Sequence, residues 1–403
     1  MKKSVFLILL LLSKFIEAQT GCTDPQAINY NASAIINDGS CIYNTTNYTT
    51  LLVSVLSDTI SETSALQFYN NNLITINDSG GNSELYSLDT LGNLQHTYIL
   101  NNAVNIDWEA LAISESALYV GDFGNNNGNR LDLSIYKLSL SEIQTNADTL
   151  EAFKMEFKYE DQVNFSTQPN ASNFDAEAFV FFQDSLHIFS KSWQSFYCKH
   201  YVLPSSWEDT AIAILKDSIY VNGLITDATI DKDSGRLILL GYKLDSPSSD
   251  GAFYSCFIHL FFDYPDHAFF SGNNRRIELG GVLSLGQTEG ISWAFDNQGY
   301  ISSEKITSPL TVSQKLRKFN FSEFFTQETT ELMEINTSPY KLIFDNGAFD
   351  IVTSSNDVCL FNLYGEKLEL LRNQNGWTII NFSQGIHTLF IDNQPHKIYL
   401  IQF

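Results

Sequence analysis

The sequence is poor in charge and poorest in basic residues. Only 17% of its 403 residues are charged, and 23 lysines and arginines stand against 46 aspartates and glutamates, for a formal net charge of −23. A chain this acidic repels nucleic-acid phosphates and anionic membrane surfaces. We therefore expect no nucleic-acid partner, and we expect charged ligands to be cations.

Long apolar runs and helical periodicity are also missing. Beyond the N-terminal segment, no stretch offers the roughly eighteen consecutive apolar residues of a membrane-spanning helix. No segment shows a sustained helical period, whereas phenylalanine and tyrosine are abundant, as is typical of β-strands. These features predict an all-β protein without a transmembrane span.

Two common catalytic patterns are absent. The seven histidines show no zinc-ligand spacing, and His187 lies in an apolar strand where a buried structural role fits better than a catalytic base. No Gly-x-Ser-x-Gly motif occurs. The sequence therefore does not support a zinc enzyme or a serine hydrolase.

The first eighteen residues read as a signal peptide. Lys2 and Lys3 precede a short apolar core, Val5–Leu12, and Ile16–Ala18 is a plausible cleavage site. The residues before Cys22 do not form a lipobox, so a lipid anchor is not expected. We expect export, with the mature protein secreted or held at the outer-membrane cell surface.

Export makes disulfides possible, and five cysteines are present. Cys22 and Cys41 bracket a short polar segment and are predicted to pair. Cys198 and Cys256 could pair if their strands are neighbours. Cys359, between apolar residues, is predicted to be an inert buried thiol.

Residues 19–47 form a small module and a linker. Its core, GCTDPQAINYNASAIINDGSC, resembles a cysteine-bracketed module that is common in exported bacterial surface proteins. Its aspartates and asparagines offer enough oxygens for calcium. The same residues equally suit a disulfide-stapled turn whose side chains bond their own backbone, and we favour that interpretation.

Residues 48–330 contain a repeated unit. Each copy has an acidic residue, an apolar stretch, a turn and a second apolar stretch that ends in polar residues. The copies begin at Glu62, Glu109, Glu177, Asp227 and Glu289, and the intervals suit four-stranded blades. We predict a five-bladed β-propeller, alternatively six-bladed, in which Thr50–Leu56 supplies the outer strand that closes the last blade.

The recurring acids point to a site in the channel. In a propeller the first strand of each blade lines the channel, so equivalent residues form a ring. Clustered carboxylates must protonate, bind a cation or accept hydrogen bonds. Metal ligands are therefore predicted at Glu62, Glu109, Glu177, Asp227, Glu289 and Glu304, and other ligand contacts at Asp122, Asn125, Arg130, Lys191, Lys243 and Lys305.

The segment TEGISWAFDNQGYISSEK resembles the channel motif of β-propeller phytases and their esterase-like relatives. In that family, channel carboxylates hold calcium ions that bind substrate and activate water. The resemblance implies that Glu289 and Glu304 form the acidic pair of the motif and that Glu109 and Glu177 are further channel acids. Calcium is the cofactor it implies, and Glu109, Glu177 and Glu289 are its candidate catalytic residues.

Residues 337–403 are predicted to be a separate small β-sandwich. The pattern VCLFNLYG, then Gly385-Ile386, then His396-Lys397-Ile398 resembles the C-terminal sorting domain of the type IX secretion system. The resemblance implies that the type IX machinery is a partner. An accessory β-sandwich of another purpose is the alternative.

Together these features favour a secreted or cell-surface β-propeller that binds calcium or a small ligand in its channel. The first alternative is a calcium-dependent hydrolase of phosphate or carboxylic esters. The second is a structural surface module whose ring acids only accept backbone hydrogen bonds between blades.

Overall fold

A computed structural model describes residues 19–325, apart from 79, 146, 245–253 and 308–310. In the C-terminal part it describes residues 341–345, 348–353, 357–362, 367–373, 376–379, 385–391 and 394–400. The predicted signal peptide lies outside the described residues. The chain divides into two compact units, Met1–Thr326 and Gln327–Phe403.

The first unit is built almost entirely of strands. Its opening segment contains β1 (Thr20–Gly21), β2 (Ile36–Asn37), β3 (Thr46–Asn47) and β4 (Leu51–Val55). Next come β5 (Thr63–Tyr69), β6 (Asn72–Asn77), β7 (Glu84–Asp89), β8 (Leu94–Asn101), β9 (Trp108–Ile113), β10 (Ala117–Asp122), β11 (Ser134–Ser139), β12 (Thr149–Glu151) and β13 (Phe153–Tyr159). The rest are β14 (Asp175–Phe182), β15 (Ser185–Lys191), β16 (Tyr197–Pro204), β17 (Ala211–Tyr220), β18 (Leu224–Ile230), β19 (Leu237–Leu244), β20 (Tyr254–Phe262), β21 (Asn273–Gly281), β22 (Gln287–Phe295), β23 (Gln298–Glu304) and β24 (Lys315–Asn320).

Helices in the described part are short. They are α1 (Leu140–Gln144), α2 (Val282–Leu285) and three 3₁₀ turns at Asp58–Ile60, Phe269–Ser271 and Ser322–Phe324. No described helix has the length and apolar character needed to cross a membrane.

The strands form antiparallel meanders arranged as a propeller. In the described part, four-stranded meanders run β5 to β8, β9-β10-β11-β13, β14 to β17, β18 to β21, and β22-β23-β24-β4. Their first strands pack side by side in a ring, from β5 against β9 around to β22 against β5. The predicted all-β propeller is therefore confirmed. The number of blades stays a prediction, for which the described part supplies these five meanders.

The ring is closed by a strand from the start of the chain. β4 pairs antiparallel with β24, with Val55 opposite Lys315. Arg317 adds hydrogen bonds from Nε to Thr50 Oγ1 at 2.7 Å and from Nη2 to the Thr50 carbonyl at 2.9 Å. The predicted role of Thr50–Leu56 as the closing outer strand is confirmed, and β4 covers the edge that β24 would otherwise leave open.

Tight turns orient the inner hairpins. Asn70 and Asn71 between β5 and β6 both have positive φ, as do Gln183 and Asp184 between β14 and β15. A two-residue turn with positive φ at both positions matches the twist of the flanking strands, and among residues other than glycine Asn and Asp tolerate this conformation best. The inner strands are almost wholly buried, and clusters of aromatic and aliphatic side chains fill the space between neighbouring blades.

The N-terminal module is a stapled turn. The predicted Cys22–Cys41 disulfide is present. Oδ1 of Asp24 accepts a hydrogen bond from the backbone N–H of Gln26 at 2.9 Å, and Oδ1 of Asp38 accepts one from Ser40 at 3.0 Å. These oxygens bond the module's own backbone, which supports the stapled turn over a calcium loop.

The other cysteines correct two expectations. Cys198 in β16 and Cys256 in β20 lie in different sheets and different core clusters, and both are free. The possible pairing of these two residues is therefore wrong. Cys359 is also free, but it is partly exposed rather than buried.

The second unit contains eight described strands. They are β25 (Lys341–Asp345), β26 (Ala348–Val352), β27 (Val358–Asn362), β28 (Lys367–Leu368), β29 (Leu370–Arg372), β30 (Gly376–Ile379), β31 (Gly385–Ile391) and β32 (Gln394–Leu400). They form two four-stranded antiparallel sheets that share one core, as predicted for a β-sandwich. Its role as a sorting domain stays a prediction.

Candidate metal centre in the channel

A β-bulge near the start of each inner strand places one side chain per blade toward the channel. The pairing of each strand with its hairpin partner skips one residue, and a bulge re-aims the residue it leaves unpaired. The skipped residues are Ser64, Glu109, Glu177, Thr226 and Glu289. Three of the five predicted ring acids are therefore equivalent.

The other two predicted ring acids occupy different places. Asp227 follows the bulge, and its carboxylate accepts hydrogen bonds from the backbone N–H groups of Ile291 at 2.7 Å and Ala228 at 2.8 Å. It therefore joins neighbouring blades, and burial raises its pKa well above the ordinary value. Glu62 precedes β5 and does not line the cavity described next. As metal ligands of one ring, Asp227 and Glu62 are corrected.

Four of the five bulge residues, all except Thr226, line an acidic cavity of about 240 Å³. Its walls come from the starts of the first strands, the ends of the second strands and two loops. The lining residues are Ser64, Asp78, Glu109, Asn126, Asn170, Glu177, Lys191, Trp193, Tyr242, Gln287, Glu289 and Glu304. Carboxylates dominate this set, so they cannot all be ionised unless a cation balances them.

Lys191 is the basic residue of this lining. Its Nζ forms a buried ion pair with Glu177 and lies 5.2 Å from the ring centre of Trp193 and 5.5 Å from that of Tyr242. Burial opposes the charge of the ammonium, but Glu177 outweighs it, and the pKa of Lys191 stays well above its ordinary value. The lysine therefore balances Glu177, and carboxylates still outnumber ammonium groups in the lining.

Two of those acids, Asp78 and Glu109, lie close to a third acid, Asp107, which is not itself part of the lining. Asp78, Asp107 and Glu109 each offer a carboxylate oxygen, and the three oxygens lie within 4.8 Å of one another. Burial, with repulsion from Asp78 and Asp175 next, raises the pKa of Asp107 to about 7. A Cβ at Gly124 would collide with the carboxylates of Asp107 and Glu109, so glycine is needed for this approach.

A hydrogen bond from Ser64 and burial determine the orientation and the pKa of the Glu109 carboxyl group. Ser64 Oγ donates to Glu109 Oε2 at 3.1 Å. Burial is the largest cause that raises the pKa of Glu109 well above its ordinary value, and repulsion from Glu177 adds to it. A cation bound at this cluster would offset both the burial of the Glu109 charge and its repulsion by Glu177.

Glu289 and Glu304 also line the cavity. Gln287 Nε2 donates to Glu289 Oε1 at 2.6 Å. Burial raises the pKa of Glu289 to about 7, and burial together with repulsion from Glu289 raises that of Glu304 to about 9. Their role as the acidic pair of the phytase-like motif stays a prediction.

The predicted loop residues hold the loop rather than line the cavity. Arg130 pairs with Asp122 through Nη2 and Oδ1 at 3.0 Å, and its Nη1 donates to the carbonyl of Gly124 at 2.9 Å. Asn125 Oδ1 accepts the backbone N–H of Arg130 at 3.0 Å. The next residue, Asn126, does line the cavity, and within the described residues its buried Oδ1 has no hydrogen-bond partner.

Two of the three predicted channel lysines lie elsewhere. Lys305 Nζ pairs with Asp58 at 3.0 Å near the surface. Lys243, in β19 opposite Ser255, is absent from the cavity lining. A lysine near the end of a second inner strand therefore does not by itself identify a channel residue.

Sequence reasoning missed Asp107, Asn126, Asn170, Gln287 and Tyr242 as site residues. A usable signal for the ring itself was present, because a small residue follows the bulge residue in four copies. These pairs are Ser64-Ala65, Glu109-Ala110, Glu177-Ala178 and Glu289-Gly290. Aligning the copies on these pairs would have replaced Glu62 by Ser64, whereas Thr226 is followed by Asp227 and carries no such signal.

Comparisons with known proteins found no matching family model and no matching curated sequence. Solved structures similar to this chain include a PQQ-bound aldose sugar dehydrogenase from Streptomyces coelicolor, at 9% identity and TM-score 0.38, covering 67% of this chain and 98% of that one. A calcium-binding regucalcin from Agrobacterium tumefaciens has 9% identity and TM-score 0.35, with coverages of 68% and 95%. A glycosyl hydrolase from Bacteroides ovatus has 10% identity and TM-score 0.39, with coverages of 66% and 85%. Similarity this low carries nothing about ligand or activity.

Proposed function

We propose that this chain is an exported β-propeller protein that binds a divalent cation, calcium first, in its channel. The observation that carries the proposal is the cluster of carboxylate oxygens from Asp78, Asp107 and Glu109 within 4.8 Å. The unpartnered Oδ1 of Asn126, in the same cavity lining, supplies a further neutral oxygen. The Cys22–Cys41 disulfide supports an oxidising, extracytoplasmic location.

The donor set suits calcium. Calcium takes oxygen ligands at about 2.3–2.6 Å, so two ligands of one ion can lie up to about 5 Å apart. The three carboxylates fall within that limit. The cavity lining contains no described cysteine or histidine, the ligands that would favour zinc or copper.

Calorimetric titration of calcium into the chain lacking residues 1–18 tests the proposal. We expect stoichiometric binding that Asp107→Asn and Glu109→Gln each weaken by at least about tenfold, since each removes a charged ligand. The matched control is Asp296→Asn, because Asp296 is an exposed turn residue with positive φ, which asparagine tolerates. Absence of calcium binding, or binding that all three variants retain, would contradict the proposal.

A calcium-dependent hydrolase of phosphate or carboxylic esters is the second candidate. It is favoured by Glu289, whose pKa of about 7 would let it act as a base near neutral pH in the same cavity. Turnover of p-nitrophenyl phosphate or acetate that requires calcium and disappears in Glu289→Gln would establish it. Calcium binding without turnover would leave a binding protein whose small-molecule or surface ligand is to be found.

Asp227 fits the alternative in which a ring acid only accepts backbone hydrogen bonds between blades. The hydrogen bond that its carboxylate accepts from the backbone N–H of Ile291 joins two neighbouring meanders, as expected of a ring-closing acid. The acids of the cavity differ, because their described hydrogen bonds leave several carboxylate oxygens facing one another. We therefore assign the structural role to Asp227 and the ligand role to the cavity acids.

A further inference from the structure

A second, larger cavity lies on the hairpin side of the propeller. It has a volume of about 940 Å³ and lies among the hairpin turns β5–β6, β9–β10, β14–β15 and β18–β19. A smaller cavity of about 210 Å³ at the ends of the first strands adjoins it and shares Phe68, Ile113 and Phe181. The acidic cavity lies at the opposite ends of the same strands, so the two are separate. We call the larger one the hairpin-face cavity.

Aromatic side chains form much of its wall. They are Phe68, Tyr69, Tyr119, Phe181 and Phe182. The rings of Tyr119 and Phe181 stack almost in parallel, with centres 5.9 Å apart and planes 8° apart. Lys137 Nζ lies 5.6 Å from the centre of the Tyr119 ring. Tyr119 itself is buried behind this wall, so the partly exposed rings of Phe68, Tyr69, Phe181 and Phe182 are the ones that offer apolar faces to a ligand.

Polar groups of mixed character surround these rings. The lining includes the hydroxyls of Ser114, Ser116 and Ser205, the amide of Gln183, the carboxylates of Glu115, Asp184 and Asp233, and the ammonium groups of Lys137 and Lys232. Acids and bases nearly balance, unlike in the acidic cavity. Such a lining offers both donors and acceptors and favours a ligand without net charge.

We propose that the hairpin-face cavity binds a neutral oligosaccharide. Sugar rings have apolar C–H faces that pack on aromatic rings and hydroxyl edges that both donate and accept hydrogen bonds. A cavity of about 940 Å³ lies near the upper end of the usual range for ligand sites, which leaves room for more than one sugar ring. This site is independent of the cation site proposed above.

The backbone of this wall argues against an extended peptide. Such peptides usually bind by adding a strand to an open sheet edge. The wall consists of turns that bond internally, for example Ser114 N to Ala117 O at 2.9 Å and Asp231 N to Arg236 O at 2.9 Å. Recognition here is therefore by side chains, as a sugar requires.

The test uses cellohexaose, xylohexaose, mannohexaose and maltohexaose, each titrated calorimetrically into the chain lacking residues 1–18. We expect at least one to bind, and we expect Phe181→Ala to weaken that binding by at least about tenfold. Asp184→Asn is a second variant that keeps the positive φ of the turn, and it should also weaken binding. The matched aromatic control is Tyr197→Ala, because Tyr197 is 46% exposed and lies outside the cavity lining.

Sugar binding should not depend on the proposed cation site. Asp107→Asn should leave sugar binding unchanged, which separates failure of this inference from failure of the calcium proposal. Binding of none of the four hexasaccharides at millimolar concentration would overturn the inference. Sugar binding at parent affinity by both Phe181→Ala and Asp184→Asn, with the two variants folded, would also overturn it. A peptide that binds and loses affinity in the same two variants, while no sugar binds, would overturn it as well.

Discussion

At the scale of single residues, Glu304 has the clearest consequence for stability. Burial and repulsion from Glu289 raise its pKa from an ordinary 4.5 to about 9. The folded chain therefore holds a proton on Glu304 that the unfolded chain releases above about pH 4.5. Raising the pH through this window favours the unfolded chain, so stability should fall between about pH 4.5 and about pH 9.

Glu304→Gln tests this because glutamine keeps the shape of the protonated acid without its charge. We expect the variant to unfold at higher urea concentration than the parent near pH 8.5 and at about the same concentration near pH 5, without calcium. Glu208→Gln, at an exposed position, is the control and should not change the pH dependence. An unchanged difference between the two pH values in Glu304→Gln would contradict the assignment.

Residue identity alone predicted part of the site. Glu109, Glu177 and Glu289 were found because an acid recurs before each apolar hairpin, and Lys191 because it ends one. Glu62 and Asp227 were misplaced because the equivalent position depends on where a bulge interrupts strand pairing. A small residue after the bulge marks that interruption at Ser64, but none follows Thr226, where only the pairing of the strands shows the bulge.

At the scale of elements, the alternation of apolar strands with Asn- and Asp-rich turns predicted the inner hairpins well. The closing role of β4 was also predictable, since a strand without a hairpin of its own needs a partner elsewhere. The parallel edge pairings were not foreseen. β12 joins β8, and β13 joins β17. These pairings arise between elements that only the folded ring brings together.

The closure of the ring depends on one buried arginine. Arg317 on β24 holds Thr50 through its two hydrogen bonds. Arg317→Met keeps the apolar stem but removes bonds made by a charged donor, which are worth about 1.5–3 kcal/mol each. We expect the free energy of unfolding to fall by about 2–4 kcal/mol in urea denaturation.

Lys318→Met is the matched control for this closure, because Lys318 is the exposed neighbour on the same strand. Its effect should stay within about 0.5 kcal/mol. Equal effects of the two variants would show that the contact between Arg317 and Thr50 does not stabilise the closure.

At the scale of the whole molecule, the propeller separates two chemistries along one set of strands. The starts of the inner strands gather carboxylates, and their ends gather aromatic rings with balanced charges. Composition alone could not predict this separation, because net charge averages over both ends. The acidic balance pointed to a cation, whereas the hairpin-face cavity became visible only once the turns were assembled.

The second unit carries the last prediction, which concerns export. Within its described residues, six buried core residues come from both sheets, so the sandwich has a core of its own. We therefore expect residues 337–403 to direct export when they are fused to another protein. Fused behind a signal peptide and a fluorescent protein, they should release the reporter from cells with a type IX system, measured in the medium and on the surface.

Two controls give this export test its meaning. The same fusion should remain in the periplasm of a strain that lacks the type IX machinery. A fusion that ends before β31 should also remain there, because β31 is a central strand that joins β27 and β32 and contributes Leu389 and Ile391 to the core. Periplasmic retention of the complete fusion in the competent strain would show instead that the sandwich is an accessory domain of another purpose.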